Sequence, residues 1–171
     1  MSIRSFLAED WRRDRFVSSY MKQAVAGADQ LVAIASRMDS ANDKKGGYLA
    51  LGGYCDVPRT AKIGIVPPEK DEKYSRLAPE KVYRVHLTGD ASSWLTRDEK
   101  QNRWGGAIRG RKFIYGFSGF PELWDEAIVL ELAVILHDLS VRKAHEIAKM
   151  SGNGYFDLLH TTFANFISAA K

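Results

Sequence analysis

Residues 113–136 read FIYGFSGFPELWDEAIVLELAVIL and contain the clearest local signals in the sequence. The segment Phe113–Phe117 is rich in aromatic residues and is typical of a strand. Pro121 suits the first position of a helix, and the acidic residues after it lie where the helix dipole favours negative charge. From Ala127 to Leu136 every residue except Glu131 is apolar. The stretch therefore predicts a strand, a tight turn and a helix buried against a sheet.

The sequence after this helix contains two amphipathic segments, Val141–Met150 and Tyr155–Ala170, separated by a glycine-containing turn. Their apolar residues recur at helical spacing, which predicts a helical hairpin. We expect this hairpin to form a C-terminal extension, residues 139–171, docked on a single domain of residues 1–138.

The sequence before the stretch begins with a long helical pattern. Its apolar residues recur at alternating spacings of four and three, and they are Val17, Met21, Ala24, Ala28, Leu31, Ala35 and Met38. This Ala-rich stripe suits close packing against the sheet of the same chain. Its regular heptad spacing also suits pairing with a second copy, which would make the protein a homo-oligomer.

Further strand patterns lie between the stripe and the core helix. Tyr48–Tyr54 and Ala61–Val66 predict one hairpin, and Trp104–Ile108 predicts a second hairpin with the strand at residues 113–117. Together with the helices they predict an α+β fold, in which helices pack on an antiparallel sheet of four to five strands.

The middle of the chain is less regular. Glu69–Ala78 predicts a short exposed helix, and Pro79 would interrupt it because proline has no backbone N–H to donate. Residues 79–87 suit either a new helical turn or an extended segment. Residues 88–101 suit a loop or a broken helix.

Composition narrows the class of protein. Hydrophobic residues make up 45% of the 171 residues, which is enough for a folded core, and the net charge is +4. A single cysteine, Cys55, excludes an intramolecular disulfide. No signal-peptide pattern is present, and the longest apolar run is far shorter than the roughly 20 residues of a membrane span. We therefore expect a cytoplasmic protein without a membrane segment, and the dispersed basic residues do not predict nucleic-acid binding.

The sequence contains no metal or nucleotide motif. Its four histidines lack the paired spacing of a zinc helix, and its double glycines lack the spacing of a dinucleotide fingerprint. Cys55 has no identifiable activating base nearby. The residues alone therefore predict no metal site and identify no cofactor.

The turn Phe117–Pro121 is the candidate binding site. A strand that ends at Ser118-Gly119 just before a helix leaves backbone N–H groups that can bind an anion or a carboxylate. We expect the pocket to be formed by Tyr115, Phe117, Ser118, Gly119, Phe120 and Glu131. Alternatively, Ser118 caps its own helix. If the turn is the site, Gly119→Val should weaken ligand binding more than it lowers stability, because the new side chain would fill the space above the N–H groups.

Three carboxylates of the predicted core helix offer a different function. Burial in an apolar pocket would raise the pKa of Asp125, Glu126 or Glu131 and would suit a general acid or base. Alternatively, Asp125 and Glu126 have no chemical role and only stabilise the helix through its dipole. In that case Glu131 lies on a narrow strip of the helix that faces solvent. No catalytic residue is assigned at this level.

The order of motifs around the turn resembles the GlcG/HbpS-like family. Trp104–Ile108 contains a double glycine before a hairpin, the next strand ends in Ser118-Gly119, and the helix opens with the acidic pair Asp125-Glu126. The resemblance implies a profilin-like fold and a ligand that is haem or a related tetrapyrrole, although some members of the family have no known activity and occur beside small-acid metabolism. It identifies no haem-ligating residue in this sequence.

Three functions therefore remain open. The first is a small-molecule binding module, whose ligand is haem, another tetrapyrrole or a small carboxylate. The second is an enzyme with a carboxylate acid or base, and the third is an assembly or regulatory protein that acts through its helical surfaces.

Overall fold

The structure is a computed structural model that describes residues 3–53 and 57–169; the side chains of residues 3–14 and 39 lie outside this description. Cys55 and the predicted strand end at Tyr54 also lie outside the described residues. Within them the chain forms five α-helices and one four-stranded sheet.

The sheet is antiparallel and has the strand order β2-β1-β4-β3. Its strands are β1 (Lys45–Gly52), β2 (Arg59–Ile65), β3 (Ala107–Arg109) and β4 (Ile114–Ser118). The helices are α1 (Ile3–Ala35), α2 (Pro68–Thr88), α3 (Glu122–Ile135), α4 (Val141–Ser151) and α5 (Tyr155–Ala169). The predicted α+β fold is confirmed, with four strands and not five among the described residues. No helix of the described segments has both the length and the apolar character needed to cross a bilayer.

The two faces of the sheet are covered by different helices. Side chains alternate along a strand, so in β4 the residues Tyr115 and Phe117 point into the larger core beneath α1 and α3. Ile114 points to the opposite face and packs in a smaller core beneath α2. At Gly116 a Cβ atom would lie 2.7 Å from a Val82 methyl group of α2, so this glycine lets the helix approach the sheet. Ser118 follows the same alternation and lies on the α2 side.

The Ala-rich stripe of α1 is buried within its own chain. Val17, Ala24, Ala28, Leu31 and Ala35 all belong to the larger core, where α1 packs on α3, β1 and β2. This confirms the first of the two arrangements predicted for the stripe. The homo-oligomer stays a prediction, but the stripe no longer supports it.

Helix α2 continues through Pro79, where the sequence predicted an interruption. The residues that the sequence left open, 79–87, are helical as far as Thr88, and Gly89 ends the helix in the left-handed conformation with φ of 76°. Ala78, Val82 and Val85 form a buried stripe against the sheet. The free energy gained by burying this stripe offsets the cost of the backbone hydrogen bond that Pro79 cannot make. The next segment contains two short 3₁₀ turns, as expected for a broken helix.

Helices α4 and α5 form the predicted C-terminal hairpin and take part in the main core. Ile147, Phe156 and Leu159 are fully buried in the same cluster as α1 and α3. At the predicted boundary, the buried Asp138 carboxylate accepts hydrogen bonds from the backbone N–H groups of Lys112 and Phe113. The division at residue 138 stays a prediction, although the packing joins the two parts tightly.

Candidate functional site

An open cleft of about 360 Å³ lies between α2 and the turn that joins β4 to α3. Its charged lining residues are Lys73, Lys81, Glu122 and Asp125. The remaining lining is aromatic and aliphatic around one serine, and consists of Tyr74, Leu77, Trp104, Phe120, Pro121 and Ser118. Ser118 and Phe120 were predicted as site residues from the sequence.

A buried ion pair forms the back of the cleft. Lys81 Nζ lies 2.9 Å from Asp125 Oδ2, and the exposed fractions of the two side chains are 2% and 3%. The same ammonium donates to the backbone carbonyl of Phe117 at 2.8 Å. Burial raises the pKa of Asp125 to about 6, although Lys81 favours the charged carboxylate. Buried ion pairs are costly relative to apolar packing, and a perturbed carboxyl group in a cleft is typical of functional sites.

The other oxygen of Asp125 organises the turn. Its Oδ1 accepts hydrogen bonds from the N–H groups of Gly119 and Phe120, at 3.2 and 2.9 Å. The prediction that these N–H groups are free for a ligand is therefore wrong, because the protein's own carboxylate occupies them. The alternative, that Ser118 caps the helix, is also wrong: the N-cap is Pro121, with no side-chain cap.

The Ser118 hydroxyl group is left without a hydrogen-bond partner among the described residues. Ser118 is only 3% exposed, and it lines the cleft beside the ion pair. Among the described residues no fully buried side-chain nitrogen or oxygen atom lacks a hydrogen-bond partner, so the Ser118 hydroxyl oxygen is accessible from the cleft. The hydroxyl is therefore available to a molecule that enters the cleft.

The double glycine Gly105-Gly106 makes room for the Lys81–Asp125 ion pair and for the Trp94 ring. At Gly106, where φ is 106°, a Cβ atom would lie 2.6 Å from Asp125 Cβ and 2.9 Å from Lys81 Nζ. At Gly105 a Cβ atom would lie 2.9 Å from the Trp94 ring. The motif thus has a structural use here in addition to its part in the family resemblance.

One rim of the cleft is held by an ion pair that is partly exposed. Glu122 Oε1 accepts from Arg97 Nε at 2.8 Å, and Glu122 Oε2 accepts from Gly105 N at 2.9 Å. The Arg97 guanidinium lies 5.2 Å from the ring centre of Trp94 and 5.7 Å from that of Trp104, which is a cation–π arrangement. Glu122 is thereby fixed and both of its oxygens are occupied.

Four predicted site residues do not line this cleft: Tyr115, Phe117, Gly119 and Glu131. Tyr115 and Phe117 point to the opposite face of β4, where the Tyr115 hydroxyl donates to Asp138 Oδ2 at 3.0 Å and contacts the Tyr20 hydroxyl. Gly119 lies in the turn with its Cα directed toward β1: a Cβ atom there would be 2.3 Å from the carbonyl oxygen of Gly46. The expectation that Gly119→Val would act mainly on binding is therefore wrong, since the side chain would collide with backbone.

Of the three carboxylates proposed as acid or base, only Asp125 lines the cleft. Burial raises the pKa of Glu126, which accepts hydrogen bonds from Ser92, Asn153 and Ser151 and ties α3 to α4. Burial also raises the pKa of Glu131, whose Oε2 lies 2.7 Å from His160 Nδ1. Glu131 was predicted to share a pocket with Ser118, but it faces α5. The alternative, that Glu131 lies on a solvent-facing strip, is also wrong, because its side chain is 2% exposed.

Sequence reasoning missed several residues of the cleft, above all Lys81. A signal was present: Lys81 interrupts the apolar stripe of Ala78, Val82 and Val85 on α2. A lysine at a position that faces the core needs a partner. The partner, Asp125, is 44 residues further along the chain, and no local pattern connects the two.

The described residues contain no group of three or more His, Cys, Asp or Glu side chains able to hold a metal ion. Comparison with known proteins found no matching family model, no matching curated protein and no matching solved structure. The resemblance to the GlcG/HbpS-like family therefore stays a prediction.

Proposed function

We propose that this chain is a small-molecule binding module whose site is the cleft between α2 and the β4–α3 turn. The observation that carries the proposal is the Ser118 hydroxyl, which is accessible from the cleft although the residue is 3% exposed, and which has no hydrogen-bond partner in the described segments. A volume of about 360 Å³ and a lining of aromatic side chains with few polar groups are typical of ligand sites.

The ion pair supports the same proposal. Lys81 and Asp125 cost free energy to bury, and their bonds hold the turn that carries Ser118 in one conformation. A preorganised turn with an open hydroxyl group lowers the entropic cost of binding. The site is therefore suited to recognise a ligand without first rearranging.

The test is an NMR titration of ¹⁵N-labelled protein with three probes: phenylacetate, pyruvate and haem. Binding in the cleft should shift the amide signals of Trp104, Ser118 and Phe120, and Ser118→Ala should weaken it. Ser168→Ala, which removes an exposed hydroxyl group on α5, is the matched control. If no probe shifts these amides, or if Ser118→Ala binds as wild type does, the cleft is not the binding site.

Haem, which the resemblance implies, is a poor fit to this cleft. Of the side chains that commonly bind haem iron, the lining contains only Tyr74. Burial and the charge of Asp125 raise the pKa of Tyr74, which disfavours the phenolate that would bind iron. We therefore expect haem to bind this cleft more weakly than a small carboxylate does. The cytoplasmic location that the sequence predicts is a separate matter from the ligand, and it too stays a prediction.

A second candidate function, acid–base catalysis, rests on Asp125 alone. Its carboxyl group lines the cleft, and a pKa of about 6 is near the value that suits proton transfer at neutral pH. The corresponding reaction is proton abstraction beside a carbonyl group, with the proton moving to Asp125 Oδ2 and the electron pair to the carbonyl oxygen. Exchange of the methyl protons of pyruvate for deuterium, followed by NMR in D₂O, tests this candidate. A rate unchanged in Asp125→Asn would refute it.

A further inference from the structure

We infer that the cleft selects a monoanionic carboxylic acid with a flat apolar body. This inference rests on the proposed function of the cleft and adds the chemical class of its ligand. Some hydrogen-bonding groups of the lining are bonded to other parts of the protein, and others are open to a ligand.

Each carboxylate oxygen of the lining accepts at least one hydrogen bond from the protein. Asp125 Oδ1 accepts from two backbone N–H groups, and its Oδ2 accepts from Lys81. Glu122 accepts from Arg97 with one oxygen and from Gly105 with the other. Each carboxylate oxygen therefore already has a donor, and a ligand rich in donors, such as an amine, would compete with existing bonds.

Several donors of the lining are open, whereas the indole N–H of Trp104 donates to Asn102 Oδ1 at 2.9 Å. In the described parts of the chain, the hydroxyl groups of Ser118 and Tyr74 and the ammonium group of Lys73 have no hydrogen-bond partner. An ammonium group has three protons, and Lys81 donates to two acceptors only. Burial keeps the Tyr74 phenol protonated by raising its pKa, so it remains a donor. The ligand must supply acceptors, and a carboxylate supplies four lone-pair sites on two oxygens.

The charged side chains of the lining, two lysines and two carboxylates, sum to zero, but they are not all paired with one another. Asp125 balances Lys81, and Arg97 balances Glu122 while its far side contacts the exposed Glu99. Lys73 has no ion-pair partner within the described ranges. The ammonium group of Lys73 is therefore free to pair with a ligand that carries a single negative charge.

The apolar part of the lining selects the body of the ligand. Trp104, Tyr74 and Phe120 present rings, and Leu77 closes the wall on the α2 side. Aromatic side chains favour stacked or edge-to-face contact with another flat ring. A cavity of about 360 Å³ is near the lower end of ligand sites, which suits one ring and a short acidic arm.

The experiment compares three probes with the same benzyl body and different charge: phenylacetate and phenylacetamide, which have the same shape, and phenethylamine. Affinities are measured from the amide shifts of Ser118 and Phe120 at pH 7.5. Phenylacetate should bind about tenfold more tightly than phenylacetamide, because charge-assisted hydrogen bonds are about twice as strong as neutral ones. Phenethylamine should bind more weakly than both.

Variants test the charge argument separately. Lys73→Met should reduce the affinity for phenylacetate about twofold to fivefold and leave phenylacetamide unchanged, since a partly exposed ion pair contributes up to about 1 kcal/mol. Lys149→Met, which removes an exposed lysine on α4, is the matched control. If phenylacetamide binds in the cleft as tightly as phenylacetate, the inference about charge is overturned and the binding module remains. If none of the probes, including pyruvate and haem, shifts the cleft amides at millimolar concentration, both the inference and the proposed function are refuted.

Discussion

Replacing Lys81 with methionine should destabilise the protein strongly at neutral pH. Methionine has a similar length and fills the space, but it leaves the Asp125 carboxylate, 3% exposed, without its counter-charge. It also removes the donor to the Phe117 carbonyl. Breaking a buried ion pair by removing one partner typically costs about 3–5 kcal/mol. That is a large part of the roughly 5–15 kcal/mol by which a domain is stable.

The cost should depend on pH in a defined direction. The pKa of Asp125 in the folded state, about 6, lies above its ordinary value of 3.8, so folding favours the protonated form. The stability that Asp125 contributes by being protonated is fully present below about pH 4 and is lost as the pH rises through about 6. Without Lys81 the carboxyl group resists ionisation even more. The difference in unfolding free energy between wild type and Lys81→Met should therefore be smaller at pH 5 than at pH 7.5.

Urea titrations followed by far-ultraviolet circular dichroism measure this difference at both pH values. Asp125→Asn and the double variant complete a thermodynamic cycle, and the double variant should cost less than the sum of the single variants because both members of the pair are gone. Lys73→Met, at an exposed lysine of the same helix, is the control and should change stability little. A loss below about 1 kcal/mol for Lys81→Met at pH 7.5 would show that the pair is not buried as described.

Three further outcomes follow from the packing. The first concerns a pair of variants on α3: Leu132→Asp should unfold the protein, whereas Ile135→Asp should lower the melting temperature by a smaller amount. The reason is that Leu132 is fully buried and Ile135 only partly. Equal losses of stability in the two variants would contradict the placement of α3. Gly119→Ala should destabilise the protein without any ligand, because its Cβ atom would meet the carbonyl oxygen of Gly46 at 2.3 Å; an unchanged melting temperature would show that the turn can move. Deleting residues 139–171 should abolish the near-ultraviolet circular dichroism of a packed core, and a truncated chain with a native-like spectrum would instead support the domain boundary predicted from the sequence.

The parts of the fold that were predictable are those in which neighbouring residues carry the signal. The spacing of Val17, Ala24 and Leu31 predicts α1, and the apolar run after Ala127 predicts the buried part of α3. The sequence left the region after Pro79 open, because a local rule about proline competes there with a tertiary contact. The buried stripe of α2 decides that competition, and it is formed only when the sheet is present.

The candidate site was predictable in part, and one error was avoidable. Ser118 was identified, but Tyr115 and Phe117 were grouped with it. Residues separated by an odd number along a strand point to opposite faces, so that rule alone separates Ser118 from both aromatic residues. The pairing of Lys81 with Asp125 could not be inferred in the same way. It depends on α2 crossing the sheet at the end of β4, which the sequence does not specify locally.

The packing of α1 on α3 has a consequence for synthesis of the chain. A Cβ atom at Gly27 would lie 2.8 Å from a Leu132 methyl group, so these segments, about 100 residues apart, are in direct contact. At translation rates of about 5–20 residues per second, the Ala-rich stripe of α1 waits roughly 5–20 s before α3 leaves the ribosome. The central pairing of β1 with β4, such as Leu49 with Phe117, is delayed in the same way. Contacts this distant along the chain slow folding, so the nascent chain carries an uncovered apolar helix that chaperones can bind before the native core closes.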